Sequence, residues 1–171
     1  MESNLESFVM RQFSVGDWRD YKNIRLRALK QSGHLYLTRY DEAKDRSDDF
    51  WRAQLMSEGL AVFGLYRGRE LIGLTGICRW YGDESGRTAC LVMSFIDAAY
   101  RGRGLSSLLY EARLSWLMNN GSFDRVRVSH RRGNEASRCA NRRYGFKKIK
   151  EQVINWPDGQ DDVEVSYELK L

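Results

Sequence analysis

Residues 87–97, RTACLVMSFID, are apolar on both faces of a strand and run through AAYRGRG into a helix that begins near Leu105. This succession constrains the fold more than any other part of the chain. A strand that is apolar on both faces lies in the middle of a sheet, covered on each side. In the helix, Leu105, Leu108, Leu109, Ala112 and Trp116 recur at helical spacing, with Ser106, Ser107, Glu111 and Ser115 opposite them. It stops at NNGS, an Asn/Gly ending.

The turn between strand and helix, RGRGLS at 101–106, carries its own question. A helix N-terminus is partly positive, so Arg101 and Arg103 are unfavourable there unless something anionic joins them. Gly102 and Gly104 let backbone N–H groups approach a ligand closely, and the first turn of a helix offers unpaired N–H groups. The same letters at 67–69 join two strands and read as a hairpin turn alone. The turn lacks the Lys-Ser/Thr of a Walker loop. Its Gly-x-Gly-x-x-Ser also departs from the dinucleotide fingerprint.

Around this unit the chain reads as one domain, 1–171. FVMRQF is a short strand, and Ser14 with Asp17 forms a capping-box pattern ahead of a helix to about Gln31. SGHLYLTRY is a loop, and Ser47 starts a second helix. The segments 60–66 and 70–81 are strands, followed by the central strand and its helix. DRVRVSH, NEASRCANRRYG, KKIKEQVIN and VEVSYELKL add strand, helix, strand, strand. The order β-α-α-β-β-β-α-β-α-β-β, with about four helices, predicts an α+β fold with a mixed, partly parallel sheet.

Composition narrows the function. No apolar run reaches membrane-spanning length, and the start, MESNLESFVMRQF, lacks the basic-then-apolar pattern of a signal peptide. The three cysteines are odd in number and far apart, so neither a disulfide framework nor a zinc site is expected. A reducing cytoplasm is the natural setting. With two histidines the chain has few ligands for a metal, and none is expected. The net charge is +5, and basic residues crowd into 125–150. It suits a phosphorylated cofactor, an acidic protein or nucleic acid, but no nucleic-acid motif accompanies it.

With these motifs in place, the sequence resembles the GNAT superfamily of N-acetyltransferases. RGRGLS matches that family's pyrophosphate loop, Arg/Gln-x-x-Gly-x-Gly/Ala, with Ser106 at the last small position. NEASRCANRRYGF (134–146) resembles its Asn-x-x-Ala/Ser run closing on Gly-Phe, and DWRDYKNIRLRALKQS its opening helix. The resemblance implies acetyl-CoA as donor. It places the phosphate cradle at Arg101, Gly102, Arg103, Gly104, Leu105 and Ser106, helped by Ser107. It implies pantetheine pairing along Ser94, Phe95 and Ile96, where two parallel strands splay apart, and cofactor contacts from Asn134, Asn141 and Arg143. A backbone N–H near Phe95 or Ile96 would polarise the thioester carbonyl.

The catalytic positions depart from the family's pattern. Counting from Asn134, its usual tyrosine acid is Asn141 here, which can hydrogen-bond a sulfur or a water but not donate a proton as an acid. Tyr144 is the alternative acid or a packing residue. Where members carry a glutamate base, this chain has Ser129 or Cys90, so His130 is the candidate base or water relay. His34 and Tyr36, with the acidic run Asp41, Glu42 and Asp45, lie in the loop that the resemblance puts beside the acceptor. The leading expectation is acetyl transfer from acetyl-CoA to a primary amine, on a small molecule or a protein, by direct attack in a ternary complex. The chain would act as a monomer or homodimer. The second is a CoA-binding regulatory or interaction module with little turnover.

Overall fold

Seven strands form one sheet in the computed structural model, which describes residues 7–171. In chain order the elements are β1 (Phe8–Gln12), α1 (Trp18–Ser32), α2 (Tyr40–Lys44), α3 (Asp48–Met56), β2 (Leu60–Arg67), β3 (Glu70–Arg79) and β4 (Thr88–Ile96). Then come α4 (Ser106–Asn119), β5 (Arg125–Arg131), α5 (Glu135–Arg143), β6 (Lys147–Asn155) and β7 (Asp161–Lys170). The opening stretch 1–6, read above for targeting, lies outside the described residues. Across the sheet the order is β1-β2-β3-β4-β5-β7-β6. Every neighbouring pair is antiparallel except β4 and β5. The mixed, partly parallel α+β fold is therefore as expected. The addition is α2, one short turn inside what reads as a loop.

Local chemistry explains the boundaries. The Asp17 carboxylate accepts the Ser14 amide at 2.8 Å, which starts the turn leading into α1. The Ser47 hydroxyl accepts the Phe50 amide at 3.2 Å and caps α3. Gly68, at φ +58°, makes the β2–β3 hairpin from the first RGR.

The two faces of the sheet bury different partners. Val62, Leu74 and Phe95 pack with Tyr21, Ile24 and Trp51 of α1 and α3. Ala61, Leu91 and Val126 pack with Tyr110, Leu117 and Ala140 of α4 and α5. The buried stripe of α4 runs through Leu109, Tyr110, Arg113 and Leu117, rotated from the stripe the leucines suggest.

Two irregularities in β4 prepare the site. Its parallel pairing with β5 covers only Thr88–Cys90 against Arg125–Arg127, so beyond Cys90 the strands diverge. Its register with β3 shifts between Leu74 and Gly76, and there Met93 has φ +58°. A β-bulge at a non-glycine residue costs about 1–3 kcal/mol and re-aims the strand's backbone groups.

Candidate active site

Where β4 and β5 part, a cleft of about 1170 Å³ opens between the two faces of the sheet. Its far wall is the segment 33–38 after α1, tied to both diverging strands. The Tyr36 hydroxyl donates to the Ser94 carbonyl of β4 at 2.8 Å, and Arg131 Nη1 of β5 donates to the His34 carbonyl at 3.0 Å. Burial pushes the Tyr36 phenol up to about 12, so it stays a protonated donor. Arg131 is fixed in turn by Asp162 at 2.7 Å and Asp158 at 2.6 Å from the β6–β7 hairpin, with Trp156 beneath its guanidinium.

The antiparallel ladder decides which β4 amides face the cleft. Asp97 N donates to the Ile72 carbonyl, so Phe95, two residues back, also pairs inward with β3. The alternation then turns Ser94 and Ile96 toward the opening. Phe95 is a core side chain, 3% exposed. The amide suited to a ligand is thus that of Ile96 or Ser94 rather than Phe95.

At the mouth of the cleft, Gly102 and Gly104 have φ +76° and +75°, a conformation that side chains rarely adopt. The amides of Gly102, Gly104, Leu105 and Ser106 find no backbone acceptor among the described residues. No side chain caps α4, whose N-cap is Leu105, whereas Ser47 caps α3 and Asn134 caps α5. Four open donors at an uncapped 14-residue helix suit a phosphate group. Arg101 has a different task. Its Nε donates to the Ile96 carbonyl and its Nη2 to Ser32, so it braces the loop against β4 and α1. Ser107 Oγ donates to the Gly104 carbonyl at 3.0 Å. Arg103 and Arg143 lie exposed, on the loop and on α5.

Further in, Asn141 is fully buried on α5 and lines the cleft. Its Oδ1 accepts from the Tyr110 hydroxyl, and its Nδ2 has no partner among the described residues. Asn134, also on the cleft, accepts the Ser137 amide at 3.2 Å. The open amides of the loop suit an anionic group, and Asn141 Nδ2 offers an unused donor farther into the cleft.

The family model described as acetyltransferase (GNAT) domain matches residues 8–147. The chain belongs to the GNAT acetyltransferase family. No curated protein sequence gives a match. Among solved structures, this GNAT domain is similar to yncA, a putative acetyltransferase from Salmonella typhimurium with its cofactor acetyl-CoA. The TM-score is 0.79 at 16% identity, over 96% of this chain and 94% of that one. It is also similar to the Salmonella typhimurium acetyl transferase that modifies the N-terminal serine of ribosomal protein L7/L12 (TM-score 0.72, 13% identity, 96% and 95% covered). A third is Arabidopsis thaliana NAA60 in complex with a bisubstrate analogue (TM-score 0.71, 13% identity, 96% and 98% covered).

Within this GNAT domain the acid and base candidates separate. His130 lies buried with both ring nitrogens in use. Nδ1 is 2.8 Å from the Arg131 carbonyl, which can only accept, so Nδ1 carries the proton and Nε2 accepts from the Tyr167 hydroxyl at 3.1 Å. An amine proton could reach Nε2 only by displacing or reversing its bond to Tyr167. Tyr144 stacks on Tyr110 at 4.4 Å between ring centroids and donates to the Ser107 carbonyl, the packing arrangement of the two readings. Cys90 shares a hydrogen bond with Cys78, its partner across β3 and β4. That bond and burial push its thiol up, so it stays neutral.

Three residues that sequence reasoning passed over line the cleft. Glu164 of β7 accepts from Ser129 Oγ at 2.7 Å and from Gln152 at 2.7 Å, which brings a carboxylate beside the position where Ser129 stands. Only strand pairing joins residues so distant in the chain. Arg25 and Trp51 lie in the wall formed by α1 and α3. Arg25 had a signal, because it falls on the apolar stripe of Tyr21, Ile24, Ala28 and Leu29. Arg113 is buried behind the cleft, where it donates to Ser94 Oγ at 2.8 Å, and burial pulls its guanidinium down to about 10.

Proposed function

We propose that this GNAT domain transfers an acetyl group from acetyl-CoA to a primary amine by direct attack in a ternary complex. The observation that carries the reading is the parting of β4 and β5 into a cleft with an uncapped, glycine-rich helix start at its mouth. When bound, acetyl-CoA supplies an acyl group on a thiol leaving group of ordinary pKa ~8.5.

The chain's own residues do the rest. The amides of Gly102, Gly104, Leu105 and Ser106 hold the pyrophosphate, and the cleft-facing edge of β4 at Ser94 and Ile96 orients the pantetheine arm. The Ile96 or Ser94 amide polarises the acyl carbonyl. Asn141 Nδ2 donates to the sulfur as its negative charge grows. Glu164, reached through Ser129 or a water, takes the proton that an amine of ordinary pKa ~10.4 must lose. His34 and Tyr36 shape the acceptor side through the tied segment 33–38. The unpaired thiols Cys78, Cys90 and Cys139 suit a reducing, cytoplasmic setting.

The test is release of free thiol from acetyl-CoA across a panel of primary amines, alongside the thermal shift that acetyl-CoA produces. Release that depends on an amine supports the reading. Stabilisation by acetyl-CoA without turnover of any amine would move the chain to the regulatory reading, which Asn141 and Ser129 at the usual acid and base positions favour. No stabilisation by any acyl-CoA would overturn both.

A further inference from the structure

The acceptor half of the cleft holds two buried donors with nothing to donate to. Arg25 is 8% exposed, and its guanidinium lies 4.9 Å over the Tyr36 ring. It forms no ion pair among the described residues, and its Nη1 is buried without a partner. Trp51, 2% exposed, has its Nε1 in the same condition. Tyr21 connects them: its ring meets Trp51 edge-on at 5.3 Å, and its hydroxyl contacts Met93 Sδ at 3.5 Å. Tyr36, beneath Arg25, is bonded to the Ser94 carbonyl. Both donors therefore gather beside the bulge at Met93 and Ser94, on the wall formed by α1 and α3.

A buried guanidinium without a counter-ion is costly, and burial pulls the pKa of Arg25 down, yet arginine keeps its charge. Nearby cations sharpen the point. Arg101 stands close to Tyr36, and Arg46 also lines the cleft. An anion with two acceptor oxygens in one plane answers a guanidinium fork, and a second oxygen contact satisfies an indole N–H.

Resting on the acetyl-transfer reading above, we propose that the acceptor is an amine that itself bears a carboxylate, a free amino acid or a related small amino-carboxylate. Its carboxylate is gripped by Arg25 with Trp51 Nε1 as second donor. The amine then points along β4 toward the bulge.

The experiment is calorimetric titration of the protein, with and without CoA, using each of the twenty free amino acids. The best binder is then compared with its carboxamide and its decarboxylated amine. The carboxylate form should bind at least tenfold more tightly than either. Arg25→Met should erase that preference while leaving acetyl-CoA affinity within about twofold, and Arg25→Lys should restore part of it. Trp51→Phe, which keeps the packing and deletes the donor, should weaken the same ligand a few-fold and serves if Arg25→Met does not fold. The proposal is overturned if no amino acid binds or if the amide binds as well as the acid. It is equally overturned if Arg25→Met weakens acetyl-CoA instead, which would assign the guanidinium to the donor. Brisk acetylation of amines without a carboxylate would overturn it and leave the transferase reading standing. Failure of acetyl-CoA to bind would overturn the transferase reading and with it the acceptor role, while the amino-acid titrations, made without CoA, would still decide whether Arg25 and Trp51 hold a carboxylate.

Discussion

Asn141 illustrates how one residue's worth depends on what surrounds it. Its side chain spends Oδ1 on Tyr110 and keeps Nδ2 for the cleft. Asn141→Ala should lower kcat by about a hundred- to a thousandfold, the range for deleting one donor aimed at developing charge. It should also cost about 1–3 kcal/mol of stability, because the buried Tyr110 hydroxyl loses its acceptor. Steady-state kinetics with a denaturant titration separates the two effects. Glu164→Gln keeps the shape and hydrogen-bonding reach but removes the basic site. It should reduce kcat/KM by about a hundredfold or more, with acetyl-CoA affinity unchanged. Gly104 tests the cradle. Valine at φ +75° is strained and sets a branched side chain among the donors, so Gly104→Val should abolish the thermal shift given by acetyl-CoA. A wild-type shift in that variant would remove the loop from the cofactor site.

At the scale of elements, the β6–β7 hairpin and the segment 33–38 hold one another through Arg131. Asp158 and Asp162 lie below the ordinary carboxylate value of 3.8, chiefly because Arg131 hydrogen-bonds to both. Their folded-state pKa values are lower than the unfolded ones. The pairing therefore stabilises the fold fully above pH 3.8, and that contribution is lost as pH falls through the lower folded values. Arg131→Met should be less stable than wild type at neutral pH, and the gap in unfolding midpoint should narrow as pH falls below 3.8. The same variant releases the His34 carbonyl and loosens the acceptor wall. KM for the amine should rise more than KM for acetyl-CoA.

For the molecule as a whole, the proposed transfer depends on a sheet that fails to stay closed. Three residue pairs join β4 to β5, Thr88–Cys90 with Arg125–Arg127, and past them a cleft replaces the ladder. The cleft-facing amides of Ser94 and Ile96 are then available to an extended ligand, while their carbonyls already accept from Tyr36 and Arg101. A ligand that binds only the folded chain stabilises it by mass action. Acetyl-CoA at a hundredfold excess over its Kd should add about 2.7 kcal/mol. For a chain of this length that raises Tm on the order of 5–10 °C, read by differential scanning fluorimetry.

Much of this architecture is local in origin and therefore legible in the residues. Alternation and helical spacing mark out β4 and α4, Ser47 caps α3, and glycine punctuates the turn at 101–106, because these signals act over a few positions of chain. The two RGR segments differ only in the element each leads into, a strand after 67–69 and a helix after 101–103. Local patterns in the residues specify every strand, the longer helices and the glycine turn that leads into α4, though not the short α2. Tertiary structure alone decided that β4 and β5 separate after Cys90 and that both nitrogens of His130 are in use. It also decided that Glu164 reaches Ser129 and that Arg25 is buried without a carboxylate. The physical reason is range. Hydrogen-bond partners and burial for these side chains come from strands and helices far apart in the chain, so no pattern of neighbours in the sequence encodes them.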